Sequence, residues 1–199
     1  MQKKNGIPAI TVNSPVVLSF VLACFLVTLA GVLSGYRITR LLFMSYHSSL
    51  VNPLTWLRFF THVFGHAGWA HFFGNAAYLL LLGPLLEEKY GPRTLAAIIA
   101  VTAFATALVS YILFWNIGIC GASGVVFAFI LLASFTGFKE GEIPLTFILT
   151  AVIYIGQQIF EGITVSDNIS NMSHIVGGLT GAAMGYILNR KDFGSEAGK

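Results

Sequence analysis

The sequence predicts an all-α membrane protein of six transmembrane helices with a long interfacial first loop. Three observations carry that prediction. First, of 199 residues 56% are hydrophobic and only 10% are charged, and mean hydropathy is +0.79. Soluble domains carry about 25% charged residues, so this chain has too few charges to coat a water-facing surface. Second, apolar runs recur at lengths near the roughly 20 residues that a bilayer span needs. Third, Lys and Arg are unevenly shared among the connections between those runs, as the orientation of membrane proteins requires. The formal charge of +3 therefore bears on topology, and nucleic acid is not an expected partner. Cys24 lies in an apolar run and Cys120 in a turn, which does not suggest a disulfide scaffold.

The elements follow in order. Residues 1–14 form a polar N-terminal segment with Lys3 and Lys4. Pro15 to Gly35 is an uncharged apolar run and the first span. A signal peptide is the rival reading, but its apolar core would be only about 7–15 residues. Tyr36 to Ala70 holds Arg37, Arg40 and Arg58, no acid, and a dense set of aromatics. That mixture suits the lipid headgroup region, so this stretch is expected to be a structured loop partly in the interface. His71 to Leu86 is the second span, and Glu87 to Arg93 reads as a charged turn in which Pro92 opens the next helix. Thr94 to Trp115 is the third span and Ser123 to Phe138 the short fourth. A turn at Lys139 to Glu142, a fifth span at Ile143 to Phe160 and a polar loop at Glu161 to Asn171 follow. Met172 to Leu188 is the sixth span, and 189–199 a charged tail. One domain, 15–188, is expected, with no soluble domain or long linker in these residues.

Six spans place both termini on one side. That side carries eight of the eleven Lys and Arg residues, and only Arg37, Arg40 and Arg58 lie on the other. The positive-inside bias puts both termini in the cytoplasm, with a prokaryotic cell membrane as the expected location. The aromatic loop, the Ser123 turn and the Asp167 loop then face outward.

Chemistry centres on Gly121-Ala122-Ser123-Gly124, where a Gly-rich turn becomes an apolar helix. Free N–H groups at a helix start, together with its partial positive charge, suit an oxyanion beside a serine nucleophile. The plainer reading is a capping serine, since Ser is among the preferred caps. Two histidines fall in spans, where an ionisable group is costly and a functional candidate: His71 and His174. His174, Gly178, Gly181 and Gly185 are spaced 4, 3 and 4 apart on one face, and Gly177 with Gly181 makes a small-xxx-small pair. Such a face admits close backbone approach by a neighbouring helix. If that neighbour is the fourth span, His174 meets Ser123. His71 and Asn75, at i and i+4, share a face and could donate to the same oxyanion; the plainer reading is a polar pair joining helices, worth about 1 kcal/mol.

These motifs, Ser123 in G-A-S-G, His174 in S-H-I-V-G-G-L-T-G and His66 to Asn75 in H-A-G-W-A-H-F-F-G-N, resemble the signatures of rhomboid intramembrane serine proteases. The resemblance runs from about Leu57 to Tyr186, in the family's order, and implies a rhomboid-like six-helix bundle. It implies Ser123 as nucleophile, His174 as general base in a dyad, and His71, Asn75 and the Ser123 backbone N–H as oxyanion donors. It implies transmembrane protein substrates and the lipid bilayer as partners, and no cofactor or metal. Arg58 and Glu87, followed by Lys89 and Gly91, are implied to be structural. Two positions depart from the family pattern. Leu57 replaces a Trp before Arg58, with Trp56 one residue earlier, and Ser173 replaces the usual Ala before His174.

Other chemistries fit less well. His62 and His66 lie at i and i+4, but Val63 stands where a zinc protease of the H-E-x-x-H type needs Glu. His66 is instead expected to hydrogen-bond within the loop. Asp167 as a third catalytic member is a minor alternative, because triads need a fixed, buried carboxylate. A catalytically silent binder of transmembrane helices and a small transporter are the competing classes. The transporter would need ionisable groups and breaks at midplane, and the one break, Gly83-Pro84, lies near the inner end of its span.

Overall fold

The computed structural model describes residues 11–137, 145–146, 148–153, 156 and 168–194. The expected turn at Lys139 to Glu142, most of the fifth span and the loop with Asp167 lie outside the described residues. The described elements are α1 (Pro15–Leu33), α2 (Arg37–Leu42), α3 (Pro53–Thr61), α4 (Trp69–Tyr90), α5 (Pro92–Leu113), α6 (Ser123–Ser134) and α7 (Asn168–Gly194). Single 3-10 turns follow α3 at His62–Phe64 and α6 at Phe135–Gly137. An isolated antiparallel bridge joins Ser45 and Ile119. Three described helices, α1, α4 and α5, are long and apolar enough to cross a membrane. The shorter α6 is apolar but has 12 residues, and α7, diluted by glycines and polar residues, is not among the three.

The helix α6 is the centre of the packing. It lies against α4, α5 and α7, and eight of its twelve residues are buried, as expected of a helix apolar on all sides. Its seam with α7 is built by glycine. A Cβ at Gly177 would stand 2.2 Å from the Gly124 carbonyl oxygen, and one at Gly181 2.1 Å from that of Ala128. One at Gly185 would strike the Phe135 ring at 2.5 Å. The seam therefore follows 177, 181 and 185. Gly178 stands to one side, where a Cβ would meet Leu131 at an ordinary 3.7 Å. On the other side of the molecule, Gly83 lets α1 approach α4, since a Cβ there would be 2.6 Å from Val17.

The second span is longer than its apolar run. Glu87 to Tyr90 read as a turn in the sequence, yet they extend α4, and only Gly91, at φ 81°, makes the turn before Pro92 opens α5. The helix persists because Glu87, Lys89 and Tyr90 each find a distant partner, while Glu88 is exposed. The buried Glu87 carboxylate accepts from Val16 N and Val17 N, both at 3.0 Å, and so caps α1. Lys89 Nζ donates to Thr136 O at 3.0 Å, just beyond α6. Asn189 Nδ2 donates to Tyr90 Oη at 3.0 Å and to Gly185 O at 2.7 Å. Likewise α7 continues past Leu188, through residues expected to be tail, to Gly194. This end of α4 thus fixes the levels of α1, α6 and α7.

Candidate active site

The far ends of α4, α6 and α7 surround a cavity of about 490 Å³, lined by Ser123, His174, His71, Gly121, Gly124 and Ser173, among others. Ser123 does not act as a cap. It is the first residue of α6; Ala122 holds the cap position, and no side chain caps the helix. The N–H groups of the first turn therefore remain without a side-chain partner beside its hydroxyl.

His174 is set by the helix it faces. Its ring stacks on Phe127, with centroids 4.0 Å apart and planes at 13°. Phe127 is four residues after Ser123, so the two lie on one face of α6, one turn apart. The structure brings hydroxyl and imidazole to one cavity and records no hydrogen bond between them. The Phe127–His174 stack was not anticipated from sequence, although the i, i+4 spacing of Phe127 from Ser123 was its available signal.

His71 and Asn75 converge on the backbone before Ser123. Gly121 has φ +130°, and a Cβ there would fall 2.8 Å from His71 Nε2 and 3.8 Å from Asn75 Nδ2. Only glycine leaves that space open. Asn75 is buried, and its Nδ2 has no hydrogen-bond partner among the described residues. An unsatisfied buried donor costs about 1–3 kcal/mol, and this one lies beside the Gly121 turn.

The turn carrying Gly121 is strapped to the long loop. Ser45 and Ile119 exchange backbone bonds of 2.9 and 2.8 Å, and Gly121 N donates to His62 O at 3.0 Å. Ala122 N donates to His66 Nε2 at 3.5 Å, while His66 Nδ1 bonds the Phe64 carbonyl at 3.2 Å. His66 is thus tied within the loop and also to the strap. These bonds fix His66 as the neutral Nδ1–H tautomer. Burial pushes His66 down to about 4, helped by the nearby His71, and pushes His62 down to about 4 as well. His62 bonds Arg58 O at 3.2 Å through Nδ1 and Thr106 Oγ1 at 3.3 Å through Nε2. Both rings are engaged as neutral spacers. Among the described residues no group of three His, Cys, Asp or Glu is placed to hold a metal. Cys120 also lines the cavity, and burial pushes its thiol up to about 11, so it stays protonated near neutral pH.

A family model, the Rhomboid domain, matches residues 53–191, which include this cavity's α4, α6 and α7 residues. The chain belongs to the rhomboid family. With three helices able to cross a bilayer, it is an integral membrane protein. It is 29% identical over 140 residues to Rhomboid-related protein 1 of Caenorhabditis elegans, which covers 66% of this chain and 39% of that protein. It is 27% identical over 177 residues to Rhomboid protease GlpG of Salmonella newport, covering 87% of this chain and 63% of that one. The same figures hold for Rhomboid protease GlpG of Salmonella typhimurium. The chain thus spans less than two thirds of the length of these relatives. In this rhomboid chain Arg58 is not among the residues lining the Ser123 cavity. It is buried, donates from Nε to Leu41 O at 2.8 Å, and sits 4.4 Å from the Tyr46 ring centre, joining the end of α2 to α3.

Proposed function

We propose that this chain is an intramembrane serine endopeptidase that cleaves transmembrane segments of other membrane proteins near the outer leaflet, through a Ser123–His174 dyad. The observation that carries this reading is one cavity shared by Ser123, His174 and His71, with the partnerless amide of Asn75 beside the same turn. In this reading His174 takes the hydroxyl proton as Ser123 attacks the substrate carbonyl. The Ser123 N–H, His71 and Asn75 hold the oxyanion. His174 then protonates the leaving amine, and water hydrolyses the acyl-enzyme. Gly121 keeps the oxyanion space open, while Gly124 and Gly181 let α7 carry His174 close to α6. Arg58 and Glu87 support the scaffold, and Gly178 plays a lesser part.

The same reading has six spans, an interfacial first loop and both termini in the cytoplasm. At about 1.5 Å per residue, the 12 residues of α6 extend about 18 Å, against a hydrocarbon core of about 30 Å. Because its C-terminal end is held level with that of α4 by Lys89, Ser123 stands below the opposite surface. A wet pocket at that depth suits a substrate helix that unwinds locally, since lipid itself offers no partners for peptide groups.

The test is labelling by a fluorophosphonate probe, paired with cleavage of a reconstituted transmembrane substrate. Wild type is expected to label and cleave. Ser123→Ala is expected to do neither while keeping its melting profile. Wild-type protein that neither labels nor cleaves would leave a catalytically silent binder of transmembrane helices.

A further inference from the structure

Another cavity, of about 410 Å³, opens beside the first, with Arg40, Tyr46, His47, Trp115 and Asn116 in its lining. Met44 and Gly118 line both cavities and form the wall between them. We propose that this second cavity binds the phosphate of a phospholipid in the leaflet nearest Ser123, with Arg40 as its principal partner.

Charge is the first support. Arg40 is exposed, and no hydrogen bond or ion pair occupies its guanidinium among the described residues. Among the described residues no carboxylate lines the pocket, and Glu87 and Glu88, the only acids in residues 11–137, lie at the opposite end of α4. An arginine fork in an acid-free pocket is matched to a phosphodiester, which it binds through paired N–H bonds. The Asn116 amide adds a neutral donor.

Depth is the second support. Trp115 and Asn116 follow directly on the end of the apolar α5 at Leu113, and Arg40 lies in α2, the short helix that follows the apolar α1. The pocket walls are aromatic. His47 is stacked between Tyr111 and Trp115, at 4.3 and 4.2 Å, and Trp115 is largely exposed. Tyr and Trp collect at the headgroup level of a bilayer. Leu41, Ile112 and Leu113 beside them are exposed and apolar, a surface suited to the acyl chains beneath such a headgroup. A soluble anion would have no use for it.

The pocket also touches the strap that precedes Ser123. A Cβ at Gly118 would lie 2.8 Å from Met44, and the next residue, Ile119, is bonded to Ser45. Lipid held here would brace the turn leading to Gly121. The proposal itself needs only the membrane location, so it stands or falls separately from the protease reading.

The experiment is native mass spectrometry of the full chain in detergent, titrated with dioleoyl phosphatidylglycerol, with the matching diacylglycerol, and with soluble glycerophosphoglycerol. Wild type is expected to retain the phospholipid over both comparators. Arg40→Gln is expected to weaken retention about ten-fold, equivalent to about 1.4 kcal/mol. Arg37→Gln, which removes the same charge from an exposed residue outside the pocket lining, is expected to leave retention unchanged. Equal loss from both variants would reduce the site to diffuse charge. Equal retention by wild type and Arg40→Gln, or of diacylglycerol and phospholipid, would overturn the proposal. Soluble glycerophosphoglycerol binding as tightly as the lipid would overturn the lipid assignment. Arg40→Gln is checked for folding by its melting profile. In parallel, brominated phosphatidylglycerol is expected to quench a Trp115 emission component that Trp115→Phe lacks.

Discussion

The helix α4 carries polar side chains at both ends and uses them in opposite ways. At its last turn Glu87 holds the start of α1, Lys89 holds the end of α6, and Tyr90 holds α7 through Asn189. At its first turns His71 and Asn75 face the glycine turn before Ser123, and the Asn75 amide has no partner among the described residues. Both ends bury polarity in an apolar bundle, at similar cost. What differs is whether that cost is offset within the fold. Satisfied groups fix helix levels. An unsatisfied donor stores binding capacity for something that arrives later.

The largest effect is expected where both ends are broken together, at the seam that links them. Gly181→Val places its first added carbon within 2.1 Å of the Ala128 carbonyl oxygen, on backbone that cannot move aside. Helices α6 and α7 must then part, and the variant is expected to lose monodispersity in size-exclusion chromatography together with all activity. Gly178→Ala meets only Leu131 at 3.7 Å and is expected to elute and label as wild type. Equal damage from the two would move the seam to the other face of α7.

The next effect isolates the open end. Asn75→Ala removes a donor that the folded protein itself does not use. Loss of one oxyanion donor lowers turnover about 10²–10³-fold, and on the role proposed for Asn75 kcat for a reconstituted substrate is expected to fall by that much. The melting midpoint is expected to hold or rise, because a buried donor without an acceptor is also gone. A variant with normal kcat and a lowered midpoint would make Asn75 a scaffold residue and remove the contrast between the two ends.

Much of this was legible in the sequence, and the gaps have physical causes. The apolar runs located α1, α4 and α5, since span length is set by the bilayer. The G-A-S-G turn placed Ser123 at a helix start, because glycines on either side announce a chain reversal. The glycine stripe on α7 was legible as a face, but not which glycines carry it. Residues 177 and 178 are only about 100° apart on the helix, and the facing backbone of Gly124 and Ala128 decides between them. The extension of α4 through Glu87 to Tyr90 was illegible, because four polar residues read as a turn until distant partners are known. Likewise the ties of His62 and His66 to the Gly121 turn span more than fifty residues, and no local pattern encodes them. His47, without a nameable partner in the sequence, is sandwiched by Tyr111 and Trp115 for the same reason.

The smallest effect isolates the closed end. Glu87→Gln keeps shape and one carbonyl oxygen, so one of the two amides at the start of α1, Val16 N or Val17 N, keeps its acceptor. The other then faces an NH₂ group, donor against donor, and the negative charge at the helix N-terminus is lost. Hydrogen bonds to a charged group contribute about 1.5–3 kcal/mol, and charge at a helix end adds about 0.3–1 kcal/mol. A loss of roughly 2 kcal/mol in stability is therefore expected, read as a lower denaturation midpoint in detergent. Neither partner amide lies near Ser123, so kcat of the folded fraction is expected to be unchanged. A fall in kcat without a fall in midpoint would mean that the two ends of α4 are coupled through the helix, and that Glu87 sets the height of Asn75 as well as the start of α1.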